Sequence, residues 1–329
     1  MNKIWNRHFI VALCGYFFLS MSISLFFLFP LLLKQFNPSK SQIGLIMGIH
    51  SLMAIFIRPF FGRLIDVKGR KKISLFGIAF MIFVLPFFHL VRDAGWLPLL
   101  LRAMTGIGWG VSMTATLTIC SDLTPVEKLA HSLGISGVAS LLSSALGPLL
   151  AEEIINRFGF GALFNTSLVF LFVSFLCILL TREAERPCQS EEILRSKSGL
   201  PVSALAFLFI SMLPIVHGGV RGAIVYFIAV FAKSIPIERV GPFFLFFSGA
   251  AILTRFGMGD LSDRYGRKQV ILPAALIIIL NLFLISQMKT FPMLVLVGFI
   301  GGIGQGLIFP ALSTYIIDIM GRENKGLAL

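Results

Sequence analysis

Gly62-Arg63-Leu64-Ile65-Asp66-Val67-Lys68-Gly69-Arg70-Lys71-Lys72 closes one apolar run and opens another, and a thinned copy returns as Gly259-Asp260-Leu261-Ser262-Asp263-Arg264-Tyr265-Gly266-Arg267-Lys268. Arg58, Gly62, Asp66, Gly69, Arg70 and Lys71 match Arg255, Gly259, Asp263, Gly266, Arg267 and Lys268, every pair offset by 197 residues. Further on, Gly106, Gly108 and Gly110 match Gly302, Gly304 and Gly306 at an offset of 196, as Asp122 and Glu127 match Asp318 and Glu323. Agreement of residue type, spacing and order marks an internal duplication, which fixes architecture before any single motif does.

The surrounding chain says what was duplicated. Of 329 residues, 57% are hydrophobic and 13% charged, with mean hydropathy +0.91. A soluble domain carries about 25% charged residues, so a secreted disulfide scaffold, a disordered regulator and a cytosolic enzyme are excluded. A bilayer core about 30 Å thick needs roughly 20 apolar residues in helix. Within it the backbone must satisfy its own hydrogen bonds, so such runs are helices. Ten runs qualify, at about 9–33, 43–62, 73–91, 97–119, 130–151, 159–180, 203–230, 241–259, 270–288 and 292–317. The reading is an all-α polytopic membrane protein with an N-terminal six-helix bundle over 1–181, a central loop over 182–202 and a second bundle of four spans over 203–329. The duplicated unit has six spans, so the expectation is a twelve-span protein shortened before span eleven.

Of the 28 basic residues, 17 fall in the set of loops that contains the N-terminus and seven in the other. Basic residues concentrate on the cytoplasmic side, which predicts a cytoplasmic N-terminus and central loop in a multi-pass protein of the plasma (inner) membrane. The net charge of +13 is thereby read as topology, with no nucleic-acid partner. The run from Phe9 to Leu33 is too long for a signal peptide. Cys14, Cys120 and Cys177 lie in apolar runs without metal-ligand spacing and read as packing residues.

At these residues the chain resembles the major facilitator superfamily of secondary transporters. The Gly62–Lys72 stretch is similar to the family's loop between spans two and three, and Gly259–Lys268 to the loop between spans eight and nine. Arg102 with Gly106, Gly108 and Gly110 is similar to its span-four motif. Ser143, Gly147, Pro148 and Ala151 are similar to the span-five motif of drug–proton antiporters, with Ser143 and Ala151 where glycines are usual. The resemblance implies two pseudo-symmetric six-helix bundles, ten of the twelve spans being present, that rock about a central site. It also implies export of a solute driven by an ion gradient, expected to be protons, with no bound cofactor. A solute or lipid importer on the same scaffold is the alternative, and a non-transporting membrane protein with a sensing or scaffolding role is the alternative of another class. The expected partners are a small-molecule substrate and the bilayer, and the expected state is a monomer.

The residues suggest roles of their own. Gly62 and Gly69 allow close approach and a tight turn. Asp66 can pair with Arg70 or a basic neighbour, and the cluster with Lys71 can act as a latch that one conformation makes and the other breaks; the alternative is that Arg70, Lys71 and Lys72 only satisfy the cytoplasmic bias of basic residues. Gly259, Asp263, Gly266 and Arg267 repeat it, and Asp122 and Asp318 stand where they can pair with these loops. The resemblance puts the family's partner for Asp66 on span eleven.

Arg102 lies about five residues inside a span, where a charge costs at least about 2–3 kcal/mol without a cavity or partner. Position 298, its counterpart, is glycine. A place in the transport path or its coupling competes with snorkelling to the headgroups. His217 and Arg221 share one helix face near the middle of span seven, among Gly218, Gly219 and Gly222. They suit a gate or an interhelical hydrogen bond.

His50 reads as a structural hydrogen bonder, Glu152 and Glu153 as solvated, and Gly147-Pro148 as a kink that can hinge. Spans carry no mid-membrane Asp or Glu, which favours a neutral, amphipathic or anionic substrate. With no nucleotide-binding Gly-Lys-Ser/Thr loop, no metal cluster and no arranged nucleophile, the chain does not read as an enzyme.

Overall fold

The computed structural model describes residues 6–125, 128–182, 204–235, 237–258, 261 and 265–320. Its elements are helices: α1 (Arg7–Ser24), continued through a 3-10 turn into α2 (Phe29–Lys34), α3 (Lys40–Lys68), α4 (Arg70–Val84), α5 (Trp96–Asp122), α6 (Leu129–Leu180), α7 (Ala204–Ala232), α8 (Gly241–Met258), α9 (Arg267–Ser286) and α10 (Phe291–Met320). Eight helical segments among the described residues are long and apolar enough to cross a membrane. One of them, Ser132–Leu180, is 49 residues long, more than twice what one crossing needs. It is broken at Gly159 by a φ of 78°, a conformation that favours glycine. Helix α5 is less apolar than those eight because it carries Arg102, four threonines and the glycine stripe.

The chain divides into two compact units. The first comprises Met1–Ala184 and Val225–Leu245, the second Glu185–Ile224 and Phe246–Leu329, so the division falls within α7 and again within α8. In the first unit α1 packs on α6, and α3 and α4 pack on α5; in the second, α9 packs on α10. The α1–α6 seam is held by small polar residues, as membrane helices require where lipid is as apolar as leucine. Ser143, Ser167 and Ser174 of α6 donate to the carbonyls of Phe17, Ser22 and Gly15 at 3.0, 2.9 and 2.8 Å.

The glycine stripes explain the duplication physically. A Cβ on Gly106 would lie 2.3 Å from the His50 carbonyl oxygen, and one on Gly110 2.7 Å from that of Ala54. In the second unit, a Cβ on Gly302 would lie 2.2 Å from the Phe247 carbonyl oxygen and one on Gly306 2.9 Å from that of Ala251. Gly108 faces Met81, and Gly304 faces Ile278. Every partner is displaced by the same 197 residues as the loop motif. Both bundles are therefore built on one helix crossing in which backbones touch.

Candidate functional site

The loop motif begins with a turn. Gly69 has φ 96° and its counterpart Gly266 has φ 95°, with ψ of 138° and 151°. That region is essentially glycine's alone, so the second glycine of each copy does the same work. Helix α4 starts immediately after it and presents Arg70, whose guanidinium pairs with the Asp122 carboxylate at the end of α5. Lys71 donates to the Thr181 carbonyl at 2.8 Å. Three spans are thus tied at one end of the first unit. Gly62 has open space around it. The side chains of Asp66 and Asp318, and the residues Gly259 and Asp263, lie outside the described residues, while Arg267 begins α9.

Arg102 is 1% exposed. Snorkelling to the membrane surface is thereby excluded: the guanidinium points into the bundle, 5.7 Å from the centroid of the Phe26 ring. Tyr226 stands close enough to interact with it electrostatically, and the Tyr226 hydroxyl lies 3.3 Å from Ser51 Oγ. The Arg102 Nε and Nη1 have no hydrogen-bond partner.

His50, also buried, adjoins this group. Thr105 spends its one hydroxyl proton on the carbonyls of Leu101 and Arg102, at 2.9 and 3.1 Å. Toward His50 Nδ1, at 3.4 Å, it therefore accepts, which places the proton of a neutral imidazole on Nδ1 and leaves Nε2 without a partner. His50 thus makes a hydrogen bond and still presents one open ring nitrogen.

The second unit holds a different polar group. His217 and Arg221 line one pocket together with Phe247, Asn281, Gly301 and Gln305. His217 lies beside Gln305, while its Nε2 and both polar atoms of the Asn281 amide have no hydrogen-bond partner. Gly218, Gly219 and Gly222 have nothing within 4 Å of a Cβ position, so these glycines serve no close backbone approach among the described residues.

Two features of α6 bear on their sequence reading. Gly147 admits close packing, since a Cβ there would lie 2.4 Å from the Ser24 Cβ, and Pro148 follows within the continuous helix. Glu152 is not solvated: it is 9% exposed, and its two carboxylate oxygens accept from the backbone N–H groups of Val240 and Gly241 at 2.7 and 2.8 Å. Glu153 is exposed and pairs with Arg157 at 2.5 Å. Among the described residues, His, Cys, Asp and Glu form no group of three that could hold a metal ion.

A duplicated bundle of apolar helices, with a charged loop and a buried arginine, has counterparts among known proteins. The pattern of the Major Facilitator Superfamily fits residues 9–329. The chain belongs to this superfamily.

It is 27% identical over 328 residues to the multidrug resistance protein MdtG of Citrobacter koseri, covering 95% of this chain and 80% of that protein. Among solved structures, the nucleoside transporter NupG superposes with a TM-score of 0.80 at 13% identity, over 98% of this chain and 86% of that one. The human organic anion transporter MFSD10 superposes at 0.68 and 16% identity, over 98% and 88%. These superpositions establish the fold. The chain is a multi-pass membrane transporter of the superfamily, not an enzyme.

Sequence reasoning missed Tyr226, Asn281, Gln305 and the cap made by Glu152. For the two amides a signal was present: a lone Asn or Gln inside an apolar run is costly in hydrocarbon unless it faces a partner or a cavity. Tyr226 carried no such mark.

Proposed function

We propose that this superfamily transporter is a proton-driven exporter of small neutral, amphipathic or anionic solutes that works by alternating access. The observation that carries the reading is Arg102, a fully buried guanidinium with two unpartnered nitrogens. A charge kept inside a span at a cost of at least about 2–3 kcal/mol is retained for function. Its field repels organic cations and draws acceptor groups. The open Nε2 of His50 adds an unpartnered acceptor beside it.

The loop with Asp66, Gly69, Arg70 and Lys71, closed on Asp122, is the latch that holds one state. Gly259, Asp263, Gly266 and Arg267 serve the second copy, and Gly147-Pro148 is the hinge. The multidrug resistance name of the Citrobacter koseri relative supports the outward direction. The chain acts as a monomer in the inner membrane, with its N-terminus and central loop cytoplasmic.

The test is transport of neutral, anionic and cationic fluorescent dyes into everted membrane vesicles energised by a proton gradient. Neutral or anionic dye accumulates, and a protonophore abolishes the accumulation. Accumulation indifferent to the protonophore, or confined to cationic dyes, overturns the reading.

A further inference from the structure

The pocket of the second unit has a floor of amides. Asn281 is 0% exposed and Gln305 is buried beside it, while Arg221 stands exposed at the rim. The cavity volume is about 10 Å³, within about 260 Å³ of empty space that includes the open mouth. It therefore takes a small group and not a whole solute. A side chain on Gly301 would close it, because a Cβ there would lie 2.6 Å from the Asn281 Nδ2.

Bundle packing does not call for these amides. The first copy builds the same crossing with Val84 at the place of Asn281 and Trp109 at the place of Gln305. A buried amide with neither nitrogen nor oxygen partnered lowers stability, so the second copy keeps Asn281 at a cost that the first avoids. Arg221 lies within electrostatic reach of His217 and of Arg255. Among the described residues, those that line the pocket include no carboxylate. The charged group of that lining is Arg221.

We propose that Asn281, with Gln305, His217 and Arg221, forms a subsite for a single anionic group, and that it receives the carboxylate of an aromatic or amphipathic substrate whose apolar body lies along Phe247. Asn281 Nδ2 donates at the floor and Arg221 supplies charge at the rim. The proposal rests on the transporter reading above and narrows its substrate class.

The experiment uses the purified full chain in lipid nanodiscs, with 2-naphthoate, 2-naphthylmethanol and (2-naphthylmethyl)trimethylammonium as probes, in chloride and in gluconate buffer. Binding of 2-naphthoate is expected to be at least about ten-fold tighter than that of 2-naphthylmethanol. Asn281→Val, which installs the first copy's residue, should erase that ratio, leave 2-naphthylmethanol binding intact and keep or raise the Tm. Asn281→Asp should reject 2-naphthoate. A lowered Tm of Asn281→Val with the ratio intact would show a structural amide and overturn the site. So would equal binding of carboxylate and alcohol, or tight binding of the ammonium probe. An Asn281-dependent thermal shift with chloride, without 2-naphthoate binding, would assign the pocket to a free anion and also overturn the substrate proposal. Carboxylate binding through Asn281 in a chain that moves no solute would instead refute proton-driven export and leave the subsite standing.

Discussion

Glu152 caps the helix that begins at Gly241: one carboxylate oxygen accepts from the Gly241 N–H at 2.8 Å and the other from the preceding Val240 N–H at 2.7 Å. The first N–H groups of a helix have no partner within it and carry partial positive charge, so a buried carboxylate is the strongest acceptor they can meet. Gly241 has no room for a side chain, since a Cβ would lie 2.9 Å from Glu152 Oε2. Five helices in, a residue that reads as a solvated charge thus ties span five to the start of α8.

Glutamine at 152 keeps the shape but offers one acceptor oxygen and an NH₂ donor. One backbone N–H is then left facing another donor. Glu152→Gln is expected to lower stability by about 1–3 kcal/mol, read as a drop in the thermal unfolding midpoint in detergent. An unchanged midpoint would show that the cap contributes nothing.

The Arg70–Asp122 pair is half-exposed, at 32% and 26%, so its loss should cost less than about 1 kcal/mol of stability. If it belongs to a latch, its effect is on transport. Asp122→Asn and Asp66→Asn should both cut the transport rate sharply at normal membrane levels, and the exchange Arg70→Asp with Asp122→Arg should restore part of it. Normal transport by a well-expressed Asp66→Asn chain would sink the latch.

For Arg102 stability and function should part company. Methionine fills a similar volume and removes a buried charge with two unpartnered nitrogens, which is neutral or stabilising in other buried sites. Arg102→Met is expected to unfold at the same or a higher temperature while transport falls by at least about ten-fold, or roughly 1.4 kcal/mol in the rate-limiting barrier. A large loss of stability would mark Arg102 as structural.

The duplicated glycines should respond in pairs. Gly69→Ala and Gly266→Ala each force a non-glycine residue to φ near 95°, at about 1–3 kcal/mol. Gly106→Ala and Gly302→Ala push a methyl into the carbonyls of His50 and Phe247, at about 1–3 kcal/mol or more. Thermal unfolding of the four variants should give matched values within each pair. A large mismatch would mean that the two copies no longer share the crossing.

Much of this was legible in the linear chain. Composition excluded a soluble protein, run length demanded helices, and the two Gly-Asp-Gly-Arg-Lys stretches announced a duplicated bundle. The backbone of Gly69 and Gly266 carries that duplication into matching φ and ψ. Arg102, His217 and Arg221 stood out because charge within an apolar run is conspicuous. Which groups these residues meet was not legible. The environment of Arg102 comes from Phe26 and Tyr226, on helices distant in sequence, and the pocket of Arg221 from Asn281 and Gln305.

The reason is physical. In water, the apolar face of a helix identifies its buried side, and periodicity then locates partners. In a bilayer, lipid tails are as apolar as a protein interior, so hydropathy announces that a helix spans but scarcely says which face turns inward. Span, class and repeat follow from solvation of the backbone, a local property that residue order expresses directly. The pairing of buried polar groups follows from side-chain contact between remote helices, and only the folded bundle defines it.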